Sequence, residues 1–520
     1  MTSALRFNST LHLLSVASLF LFVSCKTDIH GYYISNEGSD NNPGTKSRPF
    51  KTIEKVNSVQ LKAGDKIFFK GDEEYKGTLK INAAGTKDSP LIISTYDAVI
   101  ATINGGNDFA IIIKGSYFEL RNIHAKGAGR ENGNTTNGIQ ISESSNGYID
   151  NIKTEGFQKT GLEVFSSTNI RVNKVQAFNN GFCGILISGS SAKRSKNISM
   201  TNCTAENNPG DPTALDNHSG NGILVGFSDS VLIDHCTATN NGWDMPRIGN
   251  GPVGIWAYES SYVTIQYCIS YRNRTSKGGK DGGGFDLDGG VTNSVIQYCL
   301  SYENEGAGYG LFQYAGASLW NNDTVRYCIS INDATTTEGS GGIFVWNGTP
   351  DSVQLADCFV YNNLVYSTHA PAVQFEPMSK NKNFNFFNNI FIGNGDIVHG
   401  PNSGERFLGN IWWKASSEIS FKGFRSFDEW VSKTGQEKLE GKVLGKQIDP
   451  LIKGPFTTTI TDPYQLHSLT AFSLNPQSPI KDQGLDLLTL FKIKYPAFDF
   501  FGNPIPKGKG IEPGIHEIQE

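Results

Sequence analysis

Three acids crowd one short segment, Asp281 to Asp288, which reads DGGGFDLD and runs on into Gly289 and Gly290. Asp286 and Asp288 alternate with Phe285 and Leu287. That is the period of two of a half-buried strand, with the acids on one face and the apolar residues on the other. Carboxylates this close repel one another unless a cation, a neighbouring Lys or Arg, or a shared proton compensates. Two chemistries follow. Asp281, Asp286 and Asp288 are a hard-oxygen set suited to Ca²⁺. Alternatively, one acid gives a proton while the other takes one. Residues two apart on a strand stand about 6.6 Å apart at Cα, and rotamers bring their carboxyls near the roughly 6.5–9.5 Å of inverting glycosidases.

The elements that must hold these acids are written in a repeat. Six cysteines, Cys203, Cys236, Cys268, Cys299, Cys328 and Cys358, recur at steps of about 30 residues, each closing a short apolar run such as LIDHC or TIQYC. Ile123, Ile152 and Val175 fill the same slot before them, and Ile390 and Ile411 after. A slot shared by Cys, Ile and Val is a buried apolar position, so the thiols read as an internal stack rather than as disulfides. Five residues after each slot stands Asn180, Asn208, Asn241, Asn273, Asn304 or Asn363, with Asp333 as the variant. Asparagine at a stacked turn bonds from coil to coil and tolerates left-handed backbone. A glycine-led strand precedes each cysteine run: GIQIS, GLEVF, GILIS, GILVG, GIWAY, GFDLD, GIFVW.

A repeat of this length indicates a solenoid. Short strands, tight turns and an asparagine ladder resemble the right-handed parallel β-helix of the pectate-lyase-like proteins, here from about residue 100 to 413. The fold class is therefore all-β, a solenoid of about 10–11 coils. Residues 25–99 resemble the opening of secreted bacterial β-helix proteins, with an amphipathic helix over Ile53 to Leu61 covering the end of the core, as solenoids require. Residues 414–520 leave the repeat. They are expected to form an irregular C-terminal cap with a short helix at Phe427 to Thr434.

Aligning the glycine-led strands writes out one face of the solenoid. Its first outward column is Gln140, Glu163, Leu186, Leu224, Trp256, Asp286, Gly310, Phe344, Gln374. Its second is Ser142, Phe165, Ser188, Gly226, Tyr258, Asp288, Phe312, Trp346, Glu376. With coils about 4.8 Å apart, Trp256, Tyr258, Phe312, Phe344 and Trp346 flank the two acids as an aromatic groove for sugar rings. The longest turns precede these same strands, and long loops on a rigid scaffold carry binding residues. They supply Arg247, Arg274, Lys277 and Lys280, cations suited to an anionic sugar, together with Glu376.

The run from Asp281 to Asn304 is similar to a segment of the family 9 pectate lyases. In that family a strand lysine abstracts the proton α to a uronate carboxyl, and aspartates on neighbouring coils hold Ca²⁺. Here Asp286 occupies the lysine position. The resemblance implies β-elimination on an acidic poly- or oligosaccharide. The leaving group is a sugar in a lyase and water in a dehydratase. Ca²⁺ would sit on Asp281, Asp286 and Asp288, and the base would come from Lys280, Tyr258, His218 or His369. Hydrolysis by Asp286 and Asp288, or with Glu305, Glu338 or Glu376 as partner, is the alternative. Non-catalytic glycan binding, which needs the aromatics but not the acids, is the third. The cations and the lyase likeness favour elimination.

Net charge is −5, which leaves no electrostatic footprint for nucleic acid. Arg6 and the apolar run Leu11 to Val23, followed by Ser24 and Cys25, read as a lipoprotein export signal over residues 1–24 with Cys25 lipidated. The expectation is export, with a lipid anchor at the outer membrane as the single membrane contact; the alternative is a secreted or periplasmic protein without the anchor. The histidines show no zinc-ligand spacing.

Overall fold

The coils from about residue 179 to 388 close at turns held by residues with left-handed backbone. One set, Asn202, His235, Tyr267, Tyr298, Tyr327, Asn362 and Asn388, has φ between 50° and 57°. A second set, Asn179, Asn207, Asn240, Arg272, Glu303 and Asn332, has φ between 48° and 56°. The left-handed residue is the one just before each slot, so the buried ladder asparagine that follows is free to aim its amide along the solenoid. Asn180, Asn208, Asn241, Asn273, Asn304 and Asp333 form that ladder. Each backbone N–H donates to the side-chain oxygen of the next. All six side chains are buried.

The computed structural model describes residues 31–96, 100–131, 133–337, 339–349, 355–376, 380–506 and 508–519. The proposed export signal and Cys25 lie outside them. Thirty-six described strands make one parallel sheet wound into a β-helix. Both outward columns read from the sequence match the register: Leu224 pairs with Trp256, Trp256 with Asp286, Asp286 with Gly310, Gly310 with Phe344, and Phe312 with Trp346.

The cysteine stack runs as expected from Cys203 to Cys328. The backbone N–H of Cys203 reaches Sγ of Cys236, and that of Cys236 reaches Sγ of Cys268, both at 3.4 Å. The seven described cysteines are buried and unbridged. Beyond Cys328 the expectation fails. Cys358 lies beside Asp323 and Phe384 on a different strand. The slot after Cys328 belongs to Asn363, whose Oδ1 accepts from the Cys328 N–H at 3.0 Å. Asn389 and Asn410 continue it. Asn363 thus extends the cysteine slot, not the asparagine ladder, and Ile390 and Ile411 sit one residue past it.

Parallel pairing starts at Gly31, which pairs with Lys66, and Lys66 in turn pairs with Ile92. The first coils therefore lie inside the segment expected to be only a cap. Helix α1 is one turn shorter than expected, Ile53–Asn57, with the Thr52 hydroxyl accepting from Lys55 N–H. Its Ile53 and Val56 close the end of the core. Helix α2 spans Phe427–Thr434, capped by Ser426 and by left-handed Gly435. Its Trp430 stacks on Phe421 at 4.8 Å.

The irregular tail does more than cap the end. It lies back along the outside of the coils over stacked tyrosines: Tyr267 on Tyr298 at 4.9 Å and Tyr271 on Tyr302 at 4.7 Å. Tyr298 donates to the Phe498 carbonyl, Tyr302 to that of Ile460, and Tyr464 to Asn202 Oδ1. This leaves the face carrying Asp286 and Asp288 open. No described helix is long and apolar enough to cross a membrane.

Candidate active site

Asp286 is the fourth residue of strand Gly283–Leu287, every residue of which is buried. Phe285 stacks inside the core on Tyr309 at 5.3 Å, and Leu287 is fully buried. That anchoring fixes the alternation, so Asp286 faces outward into a cavity of about 750 Å³. The cavity is built from three sources. The strands give Trp256, Tyr258, Asp286, Asp288, Phe312, Phe344 and Trp346. The loops before them give His218, Arg247, Lys280 and Asp281. Glu376 comes from the far side.

Although it faces the cavity, Asp286 is only 2% exposed, and its Oδ1 has no hydrogen-bond partner. Burial, reinforced by Asp288 and Asp281, pushes its carboxyl far above the ordinary 3.8. Its surroundings therefore favour the protonated form. Asp288 is half-buried. Burial raises it to about 7, with Asp281 and Glu259 adding to the rise, while the Gly289 N–H at 2.7 Å holds it down. Asp281 has left-handed backbone, φ 60°, and accepts from Gly251 N–H at 2.7 Å. Burial lifts it to about 6 against that bond and the charge of Lys280. Burial, joined by mutual repulsion at Asp286 and Asp288, thus raises the proton affinity of all three acids. None of the three acids makes an ion pair with a described residue.

Among the described residues no three His, Cys, Asp or Glu side chains group closely enough to hold a metal ion. The Asp281 carboxylate is turned to the preceding coil's loop at Gly251, and the Asp288 carboxylate accepts from the Gly289 N–H.

The candidate bases separate clearly. Tyr258 folds over Gly226, where any Cβ would come within 2.4 Å of its ring. Burial, then Glu163 and Glu259, raise its phenol above 10, so it is a proton donor rather than a ready base. His218 is held near 4 by burial and by Arg247, which makes it neutral and weakly basic. His369 is exposed outside the cavity, with Nε2 on the Asp333 carbonyl. Glu305 braces the loop base by accepting from Thr275 N–H at 2.9 Å, and it too is outside. Arg274 and Lys277 are exposed and do not line the cavity, because their loop turns outward before Lys280 returns to it. Glu338 lies outside the described residues.

The aromatic walls also differ from a flat stacking platform. Trp256 is 4% exposed, its Nε1 donating to Asn221 Oδ1 at 3.1 Å. Phe312 is 8% exposed and stands edge-on to Phe344 and Trp346 at 5.1 and 6.3 Å. Tyr258, Phe344 and Trp346 are half-buried. Tyr314 and Asn217 also line the cavity and were not marked by the repeat. Tyr314 follows the outward columns by two residues, close over Gly289, where a Cβ would stand 2.4 Å from its ring. Asn217 lies in a loop with no periodic signal.

The fold and cavity define a right-handed parallel β-helix protein with an acid-lined pocket on one sheet. More particularly, the chain belongs to the Pel9A-like, right-handed β-helix family, whose model matches residues 32–327. Among solved structures it is similar to a GH136 lacto-N-biosidase from Eubacterium ramulus, at 15% identity and a TM-score of 0.50, covering 75% of this chain and 68% of that one. It is also similar to pectate lyase Pel9A, at 13% identity and a TM-score of 0.42, covering 94% of this chain and 96% of that one. These are likenesses of fold. An uncharacterized protein, YwoF of Bacillus subtilis (strain 168), is 31% identical over 97 residues, 18% of this chain; the match spans a fifth of that relative's length.

Proposed function

We propose that the protein is a carbohydrate-active lyase acting by β-elimination on a uronic-acid-containing poly- or oligosaccharide. Asp288 removes the proton at C5 of the uronate. The C5–H electrons form the C4=C5 double bond, and the C4–O bond breaks. Asp286 gives its proton to the departing oxygen. A sugar leaving makes the enzyme a polysaccharide lyase, and water leaving makes it an oligosaccharide dehydratase. The base that the family 9 likeness places on a strand lysine is supplied instead by a carboxylate tuned close to neutrality, where a general base is most effective.

One observation carries this reading. Asp286, whose proton affinity burial raises, and ionisable Asp288 share a cavity with Arg247 and Lys280, two cations that make no ion pair with any described residue. An elimination substrate brings a carboxylate whose charge must be offset before its α-proton becomes acidic, and these cations match that need. Hydrolysis is the second reading. It is favoured by the staggered proton affinities of the same pair, which suit an acid and a base flanking a glycosidic bond. Its substrate would not need the cations. The protein acts outside the cytoplasm, carried by the export signal and held by lipidated Cys25.

The test is a panel of pectic, alginate and ulvan-type oligosaccharides followed by absorbance at the ultraviolet edge. A rise from the unsaturated uronate supports elimination. A new reducing end without a chromophore overturns it in favour of hydrolysis.

A further inference from the structure

Asn221 makes four side-chain hydrogen bonds that leave no freedom in how its amide is turned. Its oxygen accepts from Trp256 Nε1 at 3.1 Å and from the Val253 N–H at 3.4 Å. Its nitrogen therefore donates to the Phe182 carbonyl at 3.2 Å and meets His218 Nδ1 at 3.0 Å. An amide N–H pointing at Nδ1 requires Nδ1 to be the acceptor, so the proton of the neutral ring is on Nε2. The ring is then locked edge-on against Trp256 at 5.0 Å and tilted on Phe182 at 5.8 Å. Nε2 has no partner among the described residues, and the ring lines the cavity.

Arg247 lines the same wall. One of its nitrogens donates to the Asp216 carbonyl at 2.6 Å, two residues from His218, and no described acid pairs with it. Gly249 leaves it room, since a Cβ there would stand 2.7 Å from Arg247 Nε. A guanidinium beside a fixed imidazole N–H is a donor-only surface, and a donor-only surface recognises an anion.

We propose that His218 Nε2–H and the Arg247 guanidinium together form the subsite for the substrate's carboxylate, with Asn221 as the positioning residue that keeps His218 a donor. The burial and neighbouring charge that keep the ring uncharged serve this role. A neutral imidazole donates one directed hydrogen bond and does not compete with the acids for protons. The inference rests on the uronate reading above but makes His218 a binding group and not the base.

The test uses the full chain labelled with ¹⁵N histidine, with sodium glucuronate as probe and glucose as neutral control. At neutral pH the His218 ring should show the Nε2-protonated neutral pattern, and glucuronate but not glucose should shift Nε2. His218→Leu should weaken glucuronate binding by about 10-fold, the scale of a hydrogen bond to a charged group. His218→Gln, which keeps an N–H, should recover much of it. Asn221→Leu should mix the tautomers. A wild-type ring protonated on Nδ1, or charged, overturns the assignment whatever the enzyme turns over. A ring of the expected form that glucuronate leaves unmoved overturns the carboxylate role. If both results hold and no uronate oligosaccharide is eliminated, it is the proposed reaction that fails and the subsite that stands.

Discussion

Gly310 lies directly beside Asp286 on the next coil, and a Cβ at Gly310 would stand 3.0 Å from Asp286 Oδ1 and 2.8 Å from the Phe312 ring. The acid thus has its cavity-side space because its neighbour has no side chain. Gly310→Ala should displace the Asp286 carboxyl. Turnover should fall at least 10-fold for an overpacking cost of about 1–3 kcal/mol, read by kinetics beside a denaturant melt. Unchanged turnover would mean that Asp286 does not need that space.

Asp286→Asn and Asp288→Asn should each cut turnover by about 10²–10⁴-fold, the usual weight of a general acid or base, while glycan binding persists. Unaltered turnover in both variants would remove the acids from the chemistry, and glycan binding with no turnover by wild type or variants would leave the cavity a lectin-like site. The wild-type rate should climb as pH rises through about 7 and Asp288 ionises. It should fall again at higher pH as Asp286 loses its proton.

The same acids govern stability. Unfolded, Asp288 titrates near 3.8; folded, it titrates near 7. Between those values the folded chain holds the extra proton, so stability falls as pH rises through the window and the full penalty is present above it. Asp288→Asn removes that penalty. The variant should be more stable than wild type at pH 8, by on the order of 2 kcal/mol after allowing for the solvent the carboxyl keeps, and equal to it below pH 4. Paired melts at the two pH values check this.

The outward columns were legible in the sequence because period two and a repeat of about 30 residues leave one register for the strands from Gln140 to Glu376. The site acids and the cavity strands followed from that register alone. What failed, failed at loops and turns. Cys358 follows Cys328 at the ordinary spacing, yet the slot passes to Asn363, 35 residues on, and then advances by 26 and 21. Coils of unequal length break a fixed period. Arg274, Lys277, Glu305 and His369 were grouped with the site by nearness in sequence, but loop direction decides which charge returns to the cavity, and it selected Arg247, Lys280 and Asp281. Burial of Trp256 depends on Asn221, a partner 35 residues away that no local pattern marks.

Asn304 tests how far the ladder supports the strand that carries Asp286. Its oxygen accepts from the N–H and the amide of Asn273, and its amide donates to Asp333, Ser301 and Ser270. Asn304→Ala should cost about 3 kcal/mol by leaving buried donors unmet. By contrast, a reducing agent should leave the melting temperature unchanged, because the seven described thiols are unbridged.

The most direct measurement is the mass of the products that the wild-type enzyme makes from a uronate oligosaccharide it consumes. Elimination predicts fragments whose masses sum to that of the substrate, or a single product lighter by one water, each absorbing in the ultraviolet. Fragments that together weigh one water more than the substrate, with no absorbance, would contradict it.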